Sequence, residues 1–246
     1  MSRFFVEKEN ITEDRIDITD KDDVKHLFRV LRHKVGDIIE ISDKDSMEYE
    51  MVIEAITPEQ VSGRILSRQP FEREPELRVT LYQGIPKQGK MELIIQKTVE
   101  LGVDTVIPVF TGRTVVQDKG NFGKKIQRWQ NIADEAGKQC RRGRIPVVQE
   151  AMSLSEALEQ MQENDRNLFC YEDEKKTKLK EVLRREGIGK CRKIGLIIGP
   201  EGGFSSEEAA EITSRGAVSA SLGKTILRVE TASVAAMAML MYELEQ

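Results

Sequence analysis

The sequence predicts an α/β protein in two parts, a small N-terminal β-barrel or sandwich followed by a larger domain built on a mainly parallel sheet. Three observations predict it. Residues 3 to about 68 hold short stretches in which apolar and polar residues alternate with the period of a half-buried strand. From Leu77 onward, apolar strand runs alternate with helical patterns, as βαβ units require. Between the two lies "RQPFEREPE", where two prolines among charges mark a linker, and the predicted domains are 1–72 and 73–246.

In the first part the predicted strands are "RFFV", "DIIEISD", "MEYEMVIEAI" and "QVSGRILSR", with turns at Gly36-Asp37 and Thr57-Pro58. One helical segment, "DDVKHLFRVLRH", interrupts them; Val24, Leu27 and Leu31 fall on one face, with His26, Arg29 and His33 away from it. In the second part the strand candidates are "LRVTLYQGI", "VDTVIPVF", "RIPVV", "NLFCYE", "KIGLIIG" and "AVSASL". Between the first two, "KMELIIQKTVELG" places Met91, Ile94, Ile95, Thr98 and Val99 in one stripe before Gly102 stops the helix. The last helix, about Val229 to Leu244, is rich in alanine and methionine and reads as buried or at a subunit contact.

Composition narrows the class. At 246 residues the chain is long enough to bury a substantial core, and no window approaches the uninterrupted apolar length of a membrane span. The N-terminus "MSRFFVEKEN" lacks a signal-peptide core, so the expected location is the cytoplasm. Cys140, Cys170 and Cys191 are odd in number and form no CxxC pair, which argues against a disulfide framework or a zinc site; Cys170 and Cys191 read as core residues. The two histidines, His26 and His33, have no acidic or cysteine cluster around them, and no metal is predicted. A net charge of −4 does not advertise a nucleic-acid partner. Two local patches do carry dense positive charge, "RVLRHK" at 29–34 and "KQCRRGR" at 138–144, and each suits either a solvated face or phosphate contact.

Ligands of α/β sheets bind at the carboxyl ends of the strands, so the loops that follow strands are the places to search. In "IGLIIGPEGGFSSEEAAEI", Ile194 to Ile212, the apolar run stops at a turn of glycines around Pro200, and Ser205 with Glu208 fits an S-x-x-E capping box. Phosphate fingerprints fail by spacing: there is no G-x-G-x-x-G, and "GKT" at 223–225 has Val218 where a P-loop needs glycine. A tight structural turn is the alternative for this loop alone. A second loop, "SLGKTILRVETAS" from Ser221 to Ser233, also follows a strand and shows Ile226 and Leu227 before Arg228, Glu230 and Thr231. Aliphatic side chains beside bare backbone suit a flat, uncharged heterocycle such as adenine, and the two loops at neighbouring strand ends would make one pocket.

"LIIGPEGGFS" followed by "LGKTILRVETA" resembles the SPOUT methyltransferases, and specifically the bacterial ribosomal RNA small-subunit methyltransferase E family, which makes N3-methyluridine in 16S ribosomal RNA. The resemblance continues through "KMELIIQKTVELGV", "RWQNIADEAGKQCRRGRIP" and "HLFRVLRHKVGD", so it covers essentially the whole chain. Lys224 departs from it, standing where family members often have arginine, which keeps the charge and loses the bidentate fork. The resemblance implies a SPOUT-type α/β domain with a deep trefoil knot, S-adenosyl-L-methionine bound in the knot, a homodimer, and a PUA-like N-terminal barrel that binds RNA.

Carried over position by position, Ile198, Gly199, Pro200, Gly202 and Gly203 with Leu222, Gly223, Ile226 and Leu227 would line the methyl donor, and Leu196 would pack beneath it. Arg228 and Glu230 would face the chemistry, the alternative being an ion pair between them that caps the last helix. Uracil N3 is a poor nucleophile until it loses its proton; Arg228 would stabilise the developing anion, and Glu201 or Glu230 would help remove the proton. Arg29, Arg32, Lys34, Arg141, Arg142 and Arg144 form the candidate phosphate-contacting set around an unstacked base. Alternatives on the same residues are methylation of a ribose 2′-hydroxyl or another base nitrogen, an RNA-binding factor without catalysis, and a nucleotide-binding regulatory protein.

Overall fold

A computed structural model describes residues 3–87, 89–116 and 122–245. The chain forms two compact units, Met1–Glu74 with Gly137–Ile145, and Pro75–Ala136 with Pro146–Gln246. The Glu74/Pro75 break falls inside the predicted linker. Residues 137–145 return to the first unit, which no single break in the sequence could anticipate.

The first unit contains β1 (Arg3–Phe5), β2 (Arg15–Ile18), α1 (Lys21–Lys25), β3 (Ile38–Ser42), β4 (Met47–Ile56) and β5 (Val61–Pro70). Its sheet runs β1-β3-β4-β5-β2, antiparallel except that β1 pairs with β3 in parallel. Alternation does place the core: Phe4, Ile16, Ile18, Ile39, Ile41, Met51 and Ile53 are buried in one cluster with Val24 and Leu27. β2 escaped the sequence reading because "RIDI" offers just two apolar residues, Ile16 and Ile18. β5 runs through Pro70, past the linker's expected start; its last bond on the β2 side is from the Ile65 N–H to the Asp14 carbonyl at 2.8 Å, so a missing N–H at Pro70 is tolerated.

The predicted helix from Asp22 to His33 is shorter and differently wound. α1 ends at Lys25 and continues as a single π turn, His26–Val30, with the Leu31 N–H donating to the His26 carbonyl at 3.0 Å. The wider turn rotates Leu31 out of the buried stripe. Leu27 stays buried, whereas Leu31 is exposed, as are Phe28, Val30 and Val35.

The second unit contains β6 (Arg78–Gly84), α2 (Lys90–Glu100), β7 (Thr105–Phe110), α3 (Phe122–Gln139, whose last residues join the first unit), β8 (Val147–Val148), β9 (Met152–Ser153), α4 (Leu154–Gln160), β10 (Arg166–Cys170), α5 (Leu179–Leu183), β11 (Lys193–Ile198), α6 (Ser206–Ser214), β12 (Val218–Ala220) and α7 (Val229–Leu244). Every pairing in its sheet is parallel, in the order β12-β10-β11-β6-β7-β8, with β9 also on β7. β6, β10 and β11 read as near-continuous apolar runs because helices cover both faces of such a sheet. The α2 stripe of Met91, Ile94, Ile95, Thr98 and Val99 is buried, and Gly102 ends the helix region at φ 100°. α7 spans the predicted residues, packs on α2 and β11, and buries Val229, Ser233, Ala236, Met237 and Leu240. Cys170 is buried as expected, but Cys191 is a partly exposed residue that follows a 3-10 turn and is not a core strand residue. Among the described residues, no helix is long and apolar enough to cross a membrane.

The strand order sets the site. β12, β10 and β11 are neighbours, and their registers align Cys170 with Ala220 on one side and with Ile198 on the other. The three loops leaving these strands therefore start level with one another.

Candidate active site

The loop after β11 is a closed turn. The Gly203 N–H donates to the Pro200 carbonyl at 2.9 Å, and Gly203 takes the left-handed conformation, φ 64°. The turn lies directly on the end of β6: a Cβ on Gly84 would stand 2.6 Å from the Pro200 nitrogen. The capping box forms, with Ser205 Oγ accepting from the Glu208 N–H at 3.2 Å and Glu208 Oε2 accepting from the Ser205 N–H at 2.8 Å. Beneath the turn, buried Gln83 donates through Nε2 to the Gly84 carbonyl at 3.0 Å, close to those of Ile198 and Gly199, while Oε1 accepts from Ser233 Oγ at 2.6 Å. A buried amide thus locks the turn to α7.

The loop after β12 forms the facing wall of an open cleft of about 410 Å³. Of the predicted donor residues, Ile198, Gly199, Pro200, Gly203, Leu222, Gly223, Ile226 and Leu227 all line this cleft. Gly202 does not: its carbonyl accepts from Arg113 Nη1 at 2.7 Å, and its Cα backs onto that side chain. The Ser221 N–H donates to the Thr177 carbonyl at 2.8 Å, anchoring the loop, and Ile226 is 87 % exposed over the opening. From Lys224 to Leu227 the N–H groups have no hydrogen-bond partner among the described residues. Bare donors beside aliphatic side chains are what an adenine edge and face require.

Four charged groups lie on or near that backbone: Arg228, Lys90, Glu201 and Glu230. Arg228 occupies the N-cap position of α7 and its guanidinium has no hydrogen bond or ion pair among the described residues, so the alternative of a capping pair with Glu230 is not formed. Lys90 takes the carboxylates instead. Its Nζ lies 2.9 Å from Glu201 Oε1 and 3.4 Å from Glu230 Oε2, and the Lys87 N–H also reaches Glu201 at 3.1 Å. The hydrogen bond to Glu201 raises the Lys90 pKa. For Glu201, burial alone would raise the carboxyl, but the hydrogen bonds from Lys90 and from backbone N–H groups outweigh it and hold the carboxyl below its usual range. Glu230 Oε2 is buried and accepts no aligned hydrogen bond.

Sequence reasoning missed Lys90, which lies far upstream at the first turn of α2, and missed Cys170, Tyr171 and Glu172, which line the cleft from the end of β10. The signal for the last three was present, since "NLFCYE" is a strand entering a loop beside the other two. The Cys170 thiol is pushed up to about 12 by burial, which leaves it protonated and inert despite its position.

All six cations predicted to contact phosphate belong to the first unit. Arg29 lies within the π turn and Arg32 two residues past its end, both exposed, with Lys34 just beyond; Arg32 is left-handed at φ 55°. Arg141 is partly exposed and lies 3.4 Å from Glu40, and Arg144 donates through Nε to the Asp45 carbonyl at 2.9 Å. Arg142 is a correction. It is 5 % exposed, and its guanidinium grips Glu74 with Nε at 3.0 Å and Nη2 at 2.7 Å, a buried pair that no phosphate can reach.

An all-parallel sheet with two backbone-rich loops and a free arginine at one set of strand ends, joined to a small β unit with an exposed basic turn, defines a two-part RNA-modifying enzyme. Comparison with known proteins agrees: the RNA methyltransferase domain family matches residues 73–241, and the RNA methyltransferase PUA domain family matches residues 18–66. The chain belongs to the ribosomal RNA small subunit methyltransferase E family. It is 32 % identical to that enzyme of Bacillus subtilis over 100 % of this chain and 98 % of the relative, and 36 % identical to that of Buchnera aphidicola over 86 % and 81 %. The Neisseria gonorrhoeae family member, solved bound to S-adenosyl methionine, superposes with a TM-score of 0.86 at 30 % identity over 98 % of this chain and 97 % of that one.

Proposed function

We propose that this protein transfers a methyl group from S-adenosylmethionine to N3 of a uridine in small-subunit ribosomal RNA. The observation that carries the reading is the cleft itself, where unpartnered N–H groups from Lys224 to Leu227 face a glycine turn and end at the free guanidinium of Arg228. These residues fit the donor: aliphatic Leu222, Ile226 and Leu227 take the adenine, and the wall formed by Gly199, Pro200 and Gly203 faces the remainder across the cleft. When bound, S-adenosylmethionine supplies an electrophilic methyl on sulfonium.

The residues of this chain prepare the acceptor. Arg228 places positive charge where negative charge gathers on uracil O2 or O4 as the N3 proton leaves. Glu201 or Glu230 helps remove the proton: Glu201 lines the cleft, Glu230 stands just outside its lining in the first turn of α7, and both are held by Lys90, at 2.9 and 3.4 Å. N3 lies on the pairing edge, so the uridine must be unpaired and turned out of any stack. Arg29, Arg32 and Lys34 contact phosphates, and exposed Phe28 beside them offers a face on which a base can stack. Family membership further supports a knotted last segment, a homodimer and a cytoplasmic location; the exposed Met239 and Tyr242 on α7 suit a subunit contact, and sedimentation analysis of the purified chain tests it.

Nucleoside mass spectrometry of small-subunit ribosomal RNA from cells with and without the gene tests the reaction. Loss of N3-methyluridine, restored by wild type and not by Arg228→Ala, is expected. An unchanged nucleoside would remove the assignment and leave a donor cleft with another acceptor, such as a ribose 2′-hydroxyl.

A further inference from the structure

One carboxylate in the cleft has no part in the reaction just described. Glu172 lies two residues beyond Cys170, the last residue of β10, and lines the cleft. Among the described residues its side chain has no hydrogen bond and no ion pair. The chain around it is nevertheless fixed. The Tyr171 N–H donates to the Ala220 carbonyl at 3.1 Å, the Glu174 N–H closes a turn onto the Tyr171 carbonyl at 3.2 Å, and Glu174 Oε1 accepts from the N–H groups of Lys176 and Thr177 at 2.7 and 3.0 Å. Glu172 is thus an exposed carboxylate on a fixed turn, at the wall of the cleft and open to a ligand donor that displaces water.

The first loop is shaped around this group. At Gly203 a Cβ would stand 1.7 Å from Glu172 Oε1, so the carboxylate rests against bare Cα in space that any other residue would fill. Gly203 therefore serves two needs, its left-handed φ of 64° and the room for Glu172.

Strand order then says which part of a ligand Glu172 meets. Because Cys170 aligns with both Ala220 and Ile198, the chain carrying Glu172 leaves the sheet between the strand that leads to Leu222 and the strand that leads to Pro200, and all three residues line the cleft. A nucleoside-containing donor whose base lies on the Leu222–Leu227 wall and whose far end reaches the Gly199–Gly203 turn must lay its sugar across the middle strand. A ribose diol presents two adjacent hydroxyl donors, and a carboxylate accepts both, as acidic residues do in other nucleotide-binding α/β sheets.

We propose that Glu172 is the ribose-binding residue of the donor cleft, its carboxylate accepting hydrogen bonds from the 2′- and 3′-hydroxyls of the adenosine moiety. This rests on the reading of the cleft as the S-adenosylmethionine site. It assigns to β10 a share in donor recognition that otherwise belongs to the loops after β11 and β12.

Calorimetric titration of the full chain tests it, with S-adenosylhomocysteine, its 2′-deoxy counterpart and 5′-methylthioadenosine, which keeps the diol and lacks the amino acid. Glu172→Gln and Glu172→Ala should each weaken S-adenosylhomocysteine and methylthioadenosine alike, by on the order of tenfold or more, and in Glu172→Ala the 2′-deoxy compound should bind about as well as its parent. Weakening confined to S-adenosylhomocysteine would assign Glu172 to the amino-acid ammonium and overturn the proposal. So would unchanged affinity in both variants. Wild-type protein that binds none of the three compounds would sink the donor-cleft reading itself, a result separable from either of these. The isosteric glutamine variant, with a melting temperature close to wild type, keeps the comparison free of misfolding.

Discussion

Ser233 Oγ donates to Gln83 Oε1 at 2.6 Å, joining α7 to the end of β6 across 150 residues of sequence, with both side chains wholly buried. The same amide donates to the Gly84 carbonyl and lies close to those of Ile198 and Gly199, so the first donor turn rests on it. Ser233→Ala leaves a buried acceptor unsatisfied, and a loss of about 1–3 kcal/mol is expected in urea denaturation. Donor affinity should fall as well, since the turn loses its anchor to α7. A variant as stable as wild type would show that a water or another donor replaces the hydroxyl.

Packing against β6 gives a second test. At Gly84 a Cβ would stand 2.5 Å from Pro200 Cδ and 2.6 Å from its nitrogen, contacts with a ring and a backbone that cannot swing aside. Gly84→Ala must push the turn into the cleft, at a cost of about 1–3 kcal/mol for overpacking. Titration with S-adenosylhomocysteine should show weaker binding, while RNA affinity, read by filter binding, should stay near wild type because the basic turn belongs to the other unit.

The Lys90 pairing predicts a pH dependence whose sign follows from the two shifts. The Glu201 carboxyl is held below its ordinary 4.5, so its contribution is complete above that value and is lost as pH falls through the lowered folded value. Lys90 is raised above its ordinary 10.5, so its contribution is complete below 10.5 and is lost as pH rises through the raised value. Lys90→Met leaves Glu201 and Glu230 facing each other without their shared cation. At pH 7 it should melt lower than wild type and methylate more slowly, roughly tenfold or more if the turn shifts by an ångström. The gap in melting temperature should narrow as pH falls below the ordinary 4.5 and through the lowered value of Glu201, and Lys90→Arg should recover part of the rate. A gap that stays constant down to the lowest pH at which the wild type remains folded would mean that Lys90 acts through packing alone.

What the sequence disclosed and what it hid divide along physical lines. The apolar stripe of α2, the Ser205–Glu208 box and the extent of α7 are local patterns, written in residues three or four apart, and they were legible. The pairing of the two cleft loops was legible because each follows a strand; the first alone also fitted a tight structural turn, and the second brought them into one proposed pocket. Lys90 was not, since its meaning depends on Glu201 and Glu230, both more than a hundred residues away. Nor was the π turn at His26–Val30, where one added residue per turn reverses the exposure expected for Leu31 and presents Phe28 to solvent. Arginine density misled at Arg142 for the same reason: charge in a sequence gives no sign of a distant carboxylate.

Arg142 and its exposed neighbours should therefore separate under mutation. Arg142 and Glu74 are each about 95 % buried at the side chain by their 6 and 5 % exposure, and Glu74 also accepts from the N–H groups of Gly143 and Arg144 at 2.8 and 3.2 Å. Removing Arg142 strands a buried carboxylate, so Arg142→Ala should destabilise the protein by about 3–5 kcal/mol. Arg29→Glu with Arg32→Glu alters exposed positions in and just after the π turn and should leave thermal unfolding unchanged, while weakening RNA binding and reducing its dependence on salt. If Arg142→Ala instead folds normally and loses RNA affinity, the pair with Glu74 opens in solution and the guanidinium belongs with the phosphate contacts.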